Sequence, residues 1–145
     1  MTVLLDVNVI IALIDPWHVE HRAAHVWFDD EGCRSWATCP IVENGVIRIV
    51  GNPKYPNWPG SPAMAAGVLA KARHYPGHVF WPDELSLVSA PHIDVSGLLT
   101  SAQVTDTYLL ALAVSRGGRF ATFDRRLSTK AVTGGRSALM IIGDR

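Results

Sequence analysis

Four acidic residues stand where the surrounding sequence gives them no obvious structural work: Asp6, Glu43, Asp106 and Asp124. Asp6 separates two apolar runs, Val3-Leu4-Leu5 and Val9-Ile10-Ile11-Ala12-Leu13-Ile14, and Asp124 ends the run Phe120-Ala121-Thr122-Phe123. At helical spacing Glu43 shares a face with Val46, Ile47 and Val50, and Asp106 with Leu109, Leu110 and Ala113. Burying a lone carboxylate is costly unless it is paired, hydrogen-bonded or bound to a cation. Four that converge repel one another, and a divalent cation is the natural remedy. The chemistry implied is metal-dependent hydrolysis of a phosphodiester.

Each acid has a plainer reading. Asp6 could cap the helix that follows it, and Asp124 could cap a short helix beginning at Arg125. For Glu43 and Asp106 a helix-dipole role of ~0.3–1 kcal/mol does not outweigh burial on an apolar face. Polar neighbours add weight to a site. Asn8, two residues after Asp6, is placed either to bond a carboxylate or metal-bound water, or to cap. Thr122, two before Asp124, points the same way in a strand, although filling a strand is the ordinary work of a β-branched residue. Arg125 and Arg126 set phosphate-attracting charge beside Asp124.

The elements that must position these residues alternate between strand-like and helical patterns. Strands are expected at Val3–Leu5, Arg34–Thr38, His78–Trp81, Phe120–Phe123 and Leu139–Ile142. Helices are expected at about Asn8–Ile14, His18–Phe28, Pro40–Val50 and Ala63–His74, with a further helical turn at Asp83–Ser86. The stretch Asn52–Pro62 holds Pro53, Pro56, Pro59 and Pro62 and reads as a loop. Thr100 and Gln103 form a capping box that opens a helix running to Arg116 and stopping at Gly117-Gly118. With no tight hairpin signal, the alternation implies an α/β fold whose mostly parallel sheet is covered on both faces. Sites in such sheets form at the carboxyl ends of strands near a topological switch point. Asp6 and Asp124 end two strands.

A chain of 145 residues suits one domain over residues 1–145. No apolar run approaches the ~20 residues that span a bilayer, and Asp6 in the first hydrophobic stretch argues against a signal peptide, so the expected compartment is the cytoplasm. A net charge of zero argues against a general nucleic-acid coat. The charge is uneven, however: residues 1–31 carry six acids and one base, residues 116–145 seven bases and two acids. Cys33 and Cys39, if on one strand, lie roughly 20 Å apart at ~3.3 Å per residue and are expected to stay reduced.

Four ordered blocks resemble the PIN-domain nucleases, and among them the VapC-type toxins of bacterial toxin–antitoxin pairs. They are Leu4-Leu5-Asp6-Val7-Asn8 continuing to Leu13, Pro40-Ile41-Val42-Glu43-Asn44-Gly45-Val46, Val104-Thr105-Asp106 continuing to Ala113, and Phe120-Ala121-Thr122-Phe123-Asp124-Arg125-Arg126-Leu127. The resemblance implies a three-layer α/β/α PIN-like fold and Mg²⁺- or Mn²⁺-dependent cleavage of RNA. Carried over, Asp6, Glu43, Asp106 and Asp124 form the catalytic acids, with Asn8 and Thr122 in support; the charge of Arg125 and Arg126 beside Asp124 separately suggests that they meet substrate. Asp6 and Asp106 are assigned as direct metal ligands, Asp124 joins them directly or through water, and Glu43 orients or deprotonates the attacking water. The implied partners are RNA and a cognate antitoxin whose C-terminal segment crosses the acidic site, in a homodimer or a toxin–antitoxin hetero-oligomer. Trp17, Val26 and Trp27 could offer a groove for an antitoxin helix, or, above all Val26, fill the core.

Other readings compete. A PIN nuclease of RNA processing without a toxin role, or an inactive PIN fold used for binding, shares the same blocks. A receiver-like phospho-acceptor wants paired acids after the first strand and a late lysine, and a metal-dependent phosphatase wants an Asp-x-Asp pair. Neither pattern is present. His21 and His25 have the i, i+4 spacing of a zinc helix, but Glu20 precedes them rather than standing between them, so a surface or partner-contacting helix is the better account. None of Trp17, Trp27, Trp36, Trp58 and Trp81 is assigned to RNA stacking.

Overall fold

A computed structural model describes residues 1–57 and 60–143. Trp58, Pro59, Asp144 and Arg145 lie outside the described residues. The elements run β1 (Val3–Leu5), α1 (Val7–Ile14), α2 (His21–Asp30), β2 (Trp36–Thr38), α3 (Pro40–Val50), α4 (Pro62–Ala72), β3 (His78–Phe80), α5 (Val104–Ser115), β4 (Arg119–Thr122), α6 (Gly135–Ala138) and β5 (Leu139–Ile141). All neighbouring strands are parallel, in the order β3-β2-β1-β4-β5. From β1 the chain steps outward to β2 and β3, then returns past β1 to β4 and β5. The β1–β4 boundary is therefore the switch point, and right-handed crossovers place α1–α4 on one face and α5–α6 on the other. This is the three-layer α/β/α arrangement expected.

The core follows from the apolar runs. Leu4, Leu5, Val9, Val42, Val46, Leu109, Leu110, Leu112 and Phe120 are fully enclosed. Pro40 takes the first turn of α3, where its missing N–H is harmless. Gln103 Oε1 accepts from the Thr100 and Leu99 amides at 2.9 and 2.8 Å, and the chain enters α5 through a 3₁₀ turn at Ser101–Gln103. Gly117, at φ 66°, ends it in a conformation that a side chain would disfavour. Among the described residues no helix is long and apolar enough to cross a membrane.

Three expectations need correction. The second helix starts at His21 rather than His18, because the Asp15 carboxylate accepts from the Trp17 amide at 2.9 Å and holds the residues after Pro16 in turns. The second strand is shorter than expected, since Gly32–Arg34 forms a 3₁₀ turn; Cys33 and Cys39 thus do not share a strand, and both are free thiols. Asp83–Ser86 is not helical. This stretch leads from edge strand β3 toward the layer of α5, a distance that extended chain covers economically, and the 2.7 Å pair of Glu84 with Arg116 anchors it.

Candidate active site

The parallel register puts the ends of β1 and β4 side by side, with the Asp6 amide donating to Ala121 O at 2.9 Å. Asp6 is the first residue beyond β1 and is 7% exposed. Its Oδ1 accepts from the Val7 amide at 2.8 Å, and its Oδ2 from the Thr122 hydroxyl at 2.7 Å. Thr122 gives its single proton to Asp6 and offers its lone pairs to the Asp124 amide at 3.1 Å and Asn8 Nδ2 at 3.3 Å. Asn8 Oδ1 in turn accepts from the Phe123 amide at 3.3 Å. Asn8 reaches the acidic group through Thr122 and does not bond the Asp6 carboxylate. Asp124 Oδ1 accepts from the Arg126 amide at 2.9 Å, closing a turn instead of capping a helix.

Asp106 stands half-buried in the first turn of α5, on the side of its buried neighbours Leu109, Leu110 and Ala113. Burial and then the charges of Asp6 and Asp124 push its pKa up to about 6. Asp6 is raised too, by burial first, with hydrogen bonds from Thr122 and Val7 opposing and the charge of Asp124 adding to the rise. The fold thus joins three of the four acids, from β1, β4 and α5, into one electrostatic unit whose titrations belong to the group.

Glu43 is held differently. It lies in the first turn of α3, its carboxylate bonded by the Thr38 hydroxyl at 2.7 Å and 3.3 Å from the Arg73 guanidinium. Gly45 brings this turn close to the start of α1, where an added Cβ would stand 2.7 Å from Val7 Cγ2. Glu43 therefore stands on the β2 side with its charge paired to Arg73, and it is not among the charges that raise Asp6 and Asp106. Arg125 and Arg126 are both exposed, and the Arg125 guanidinium donates to Gly143 O at 3.1 Å, which ties it beside the end of β5.

The donors suit a hard cation. All are carboxylate, hydroxyl or amide groups, and among the described residues no histidine or cysteine joins the aspartates. Among the described residues no three His, Cys, Asp or Glu side chains form a ready-made metal cage.

The remaining polar candidates have structural duties. His21 and His25 bond the Ala12 and Leu13 carbonyls at 2.7 and 2.9 Å, satisfying the end of α1. Trp36 and Trp81 are buried, whereas Trp17 is 79% and Val26 49% exposed, so Val26 does not fill the core. Sequence reasoning missed Asp15. It is fully buried and accepts from Trp17 N, from Asn57 Nδ2 at 3.0 Å and from the Tyr55 hydroxyl, anchoring the proline-rich loop to α1. Only the neighbouring Pro16 hinted at it.

Residues 3–132 match the PIN domain family. The chain is 46% identical over 134 residues to Ribonuclease VapC44 of Mycobacterium tuberculosis, covering 92% of this chain and 94% of that protein. It is 43% identical over 134 residues to Ribonuclease VapC39 of the same species, covering 92% and 96%. Among solved structures, a chain in VapBC2 from Rickettsia felis, bound to a DNA fragment from their promoter, superposes with a TM-score of 0.53 at 11% identity, covering 87% of this chain and 90% of that one. With its switch-point aspartates and a match over most of its length, the chain belongs to the PIN-domain family, in its VapC branch.

Proposed function

We propose that this chain is a Mg²⁺- or Mn²⁺-dependent endoribonuclease that acts in the cytoplasm as the toxin of a toxin–antitoxin pair. The observation that carries the reading is the gathering of Asp6, Asp106 and Asp124 at the switch point, where burial first, and then the charges of Asp6 and Asp124, raises the Asp106 pKa to about 6. Identity above 40% to proteins named ribonucleases supports RNA as the substrate. Asp6 and Asp106 would hold the metal, with Asp124 in support. Thr122 keeps Asp6 oriented, and Asn8 keeps Thr122 in place. When bound, the metal supplies a water of lowered pKa and positive charge against the phosphate oxygens. Glu43 orients the attacking water and takes its proton. Of the two arginines, Arg126 is the freer to meet the RNA backbone, since Arg125 is engaged with Gly143.

A partner protein accounts for the apolar surface near α2. Val26 and Trp27 line one groove together with Val19, and Trp17 is 79% exposed, which suits an amphipathic antitoxin helix, with homodimer or hetero-oligomer as the resulting assembly. The test has two arms. Purified protein should cleave RNA with Mg²⁺ or Mn²⁺, not in excess chelator, and not as Asp6→Asn. Expressed alone it should arrest growth, and co-expression with the small open reading frame beside its gene should restore growth. Cleavage without growth arrest would point to a PIN nuclease outside toxin systems. Folded protein with neither activity would point to a binding module.

A further inference from the structure

Glu43 is held by two short hydrogen bonds in series. Thr38, fully buried at the end of β2, places its hydroxyl 2.7 Å from Glu43 Oε2 and 2.7 Å from His78 Nε2. A hydroxyl has one proton and an ionised carboxylate only accepts, so Thr38 donates to Glu43. The second contact then needs a donor, and only an Nε2–H of His78 can supply it. The ring is fixed for that task. The β2–β3 register sets His78 beside Trp36, and the two rings meet at 4.7 Å between centroids with a 62° tilt. Burial, then the Arg73 charge, lowers the His78 pKa against the opposing pull of Glu43, which favours a neutral ring near pH 7. Arg73 also grips Glu43 while stacked 5.0 Å over Phe80, but its side chain is 41% exposed, and such a pair contributes little. The Thr38–His78 chain is better sheltered, with Thr38 fully buried and His78 partly so.

We propose that His78 is a positioning residue of the nuclease, which through Thr38 sets the direction in which the Glu43 carboxylate faces the attacking water. This rests on the catalytic role of Glu43 proposed above. A general base contributes ~10²–10⁴-fold, and a misdirected one keeps only part of that. Cleavage of a defined RNA oligonucleotide would be followed for Thr38→Val, His78→Phe, Thr38→Ser and His78→Gln, each also combined with Glu43→Gln, with thermal melts to confirm folding. Thr38→Val and His78→Phe should lower kcat roughly tenfold with KM unchanged. Thr38→Ser and His78→Gln, which keep a donor, should restore most of the loss. In the Glu43→Gln background neither Thr38→Val nor His78→Phe should lower the residual rate further. A readout independent of activity is ¹⁵N NMR of the metal-free protein, in which neutral His78 should carry its proton on Nε2, with the Nδ1–H tautomer appearing in Thr38→Val. The proposal is overturned if Thr38→Val and His78→Phe keep wild-type kcat while Glu43→Gln is inactive, if their effects add fully to that of Glu43→Gln, or if wild-type His78 is an Nδ1–H tautomer. Full activity of Glu43→Gln would instead remove the role of Glu43, and the proposal with it.

Discussion

In the absence of metal, Asp106→Asn should make the protein more stable while abolishing cleavage. Burial and the charges of Asp6 and Asp124 raise the Asp106 pKa from 3.8 to about 6. The folded state therefore binds this proton more tightly than the unfolded chain does. Stability from this group is intact at low pH, falls as pH rises from about 4 to about 6, and above that carries the full penalty. A difference of about two pH units corresponds to ~3 kcal/mol. Asp106 is partly open to solvent, which screens the repulsion, so roughly half of that, ~1–1.5 kcal/mol, is the expected gain for the uncharged variant. For a protein of this size the gain is roughly 3–6 °C in Tm. Melts or urea unfolding in EDTA at pH 7.5 and pH 5 would measure it, with the gap between variant and wild type narrowing at the lower pH. Added Mg²⁺ should narrow it at pH 7.5 as well, because only the wild type has the full acid set to bind it. A variant no more stable than wild type at pH 7.5 in EDTA would refute the claim that burial and the neighbouring charges penalise the ionised Asp106 carboxylate in the folded protein.

Tyr55→Phe should destabilise the protein by ~1–3 kcal/mol, because the buried Asp15 carboxylate loses a donor that nothing replaces. Burial raises the Asp15 pKa, but the bonds from Tyr55, Asn57 and Trp17 outweigh it and hold the pKa below 3.8, so the stability they give is present above about pH 4 and is lost on acidification; urea unfolding at pH 7 that matches wild type would contradict this. In the native protein iodoacetamide should modify half-buried Cys33 and spare buried Cys39, whose thiol burial pushes up to about 11. Equal labelling of both by mass spectrometry, without unfolding, would show that the site around Cys39 opens.

The histidines of α2 and Asp15, just beyond the end of α1, show where reading the sequence stops. His21 and His25 look like metal ligands by spacing alone, yet they bond the carbonyls of Ala12 and Leu13. Asp15 looks like one more surface acid, yet it is enclosed and bonded by Tyr55 and Asn57, some forty residues away. Spacing tells which side chains share a face. It does not tell what packs against that face.

The alternation of apolar runs, Pro40 at a helix start, the Thr100–Gln103 cap and the glycine stop after α5 are local signals, because each depends on backbone conformation or burial period within a few residues. They are enough to place Asp6 and Asp124 at strand ends and Glu43 and Asp106 within the first two turns of their helices. Which of these acids act together depended on strand order. Setting β1 beside β4 brings Thr122 to Asp6 across 116 residues and couples Asp106 to both aspartates. Setting β2 beside β3 instead gives Glu43 to Thr38, and Thr38 to His78. Hydrogen bonds and unscreened charge act over a few ångströms, so only the tertiary pairing of distant segments decides who their partners are.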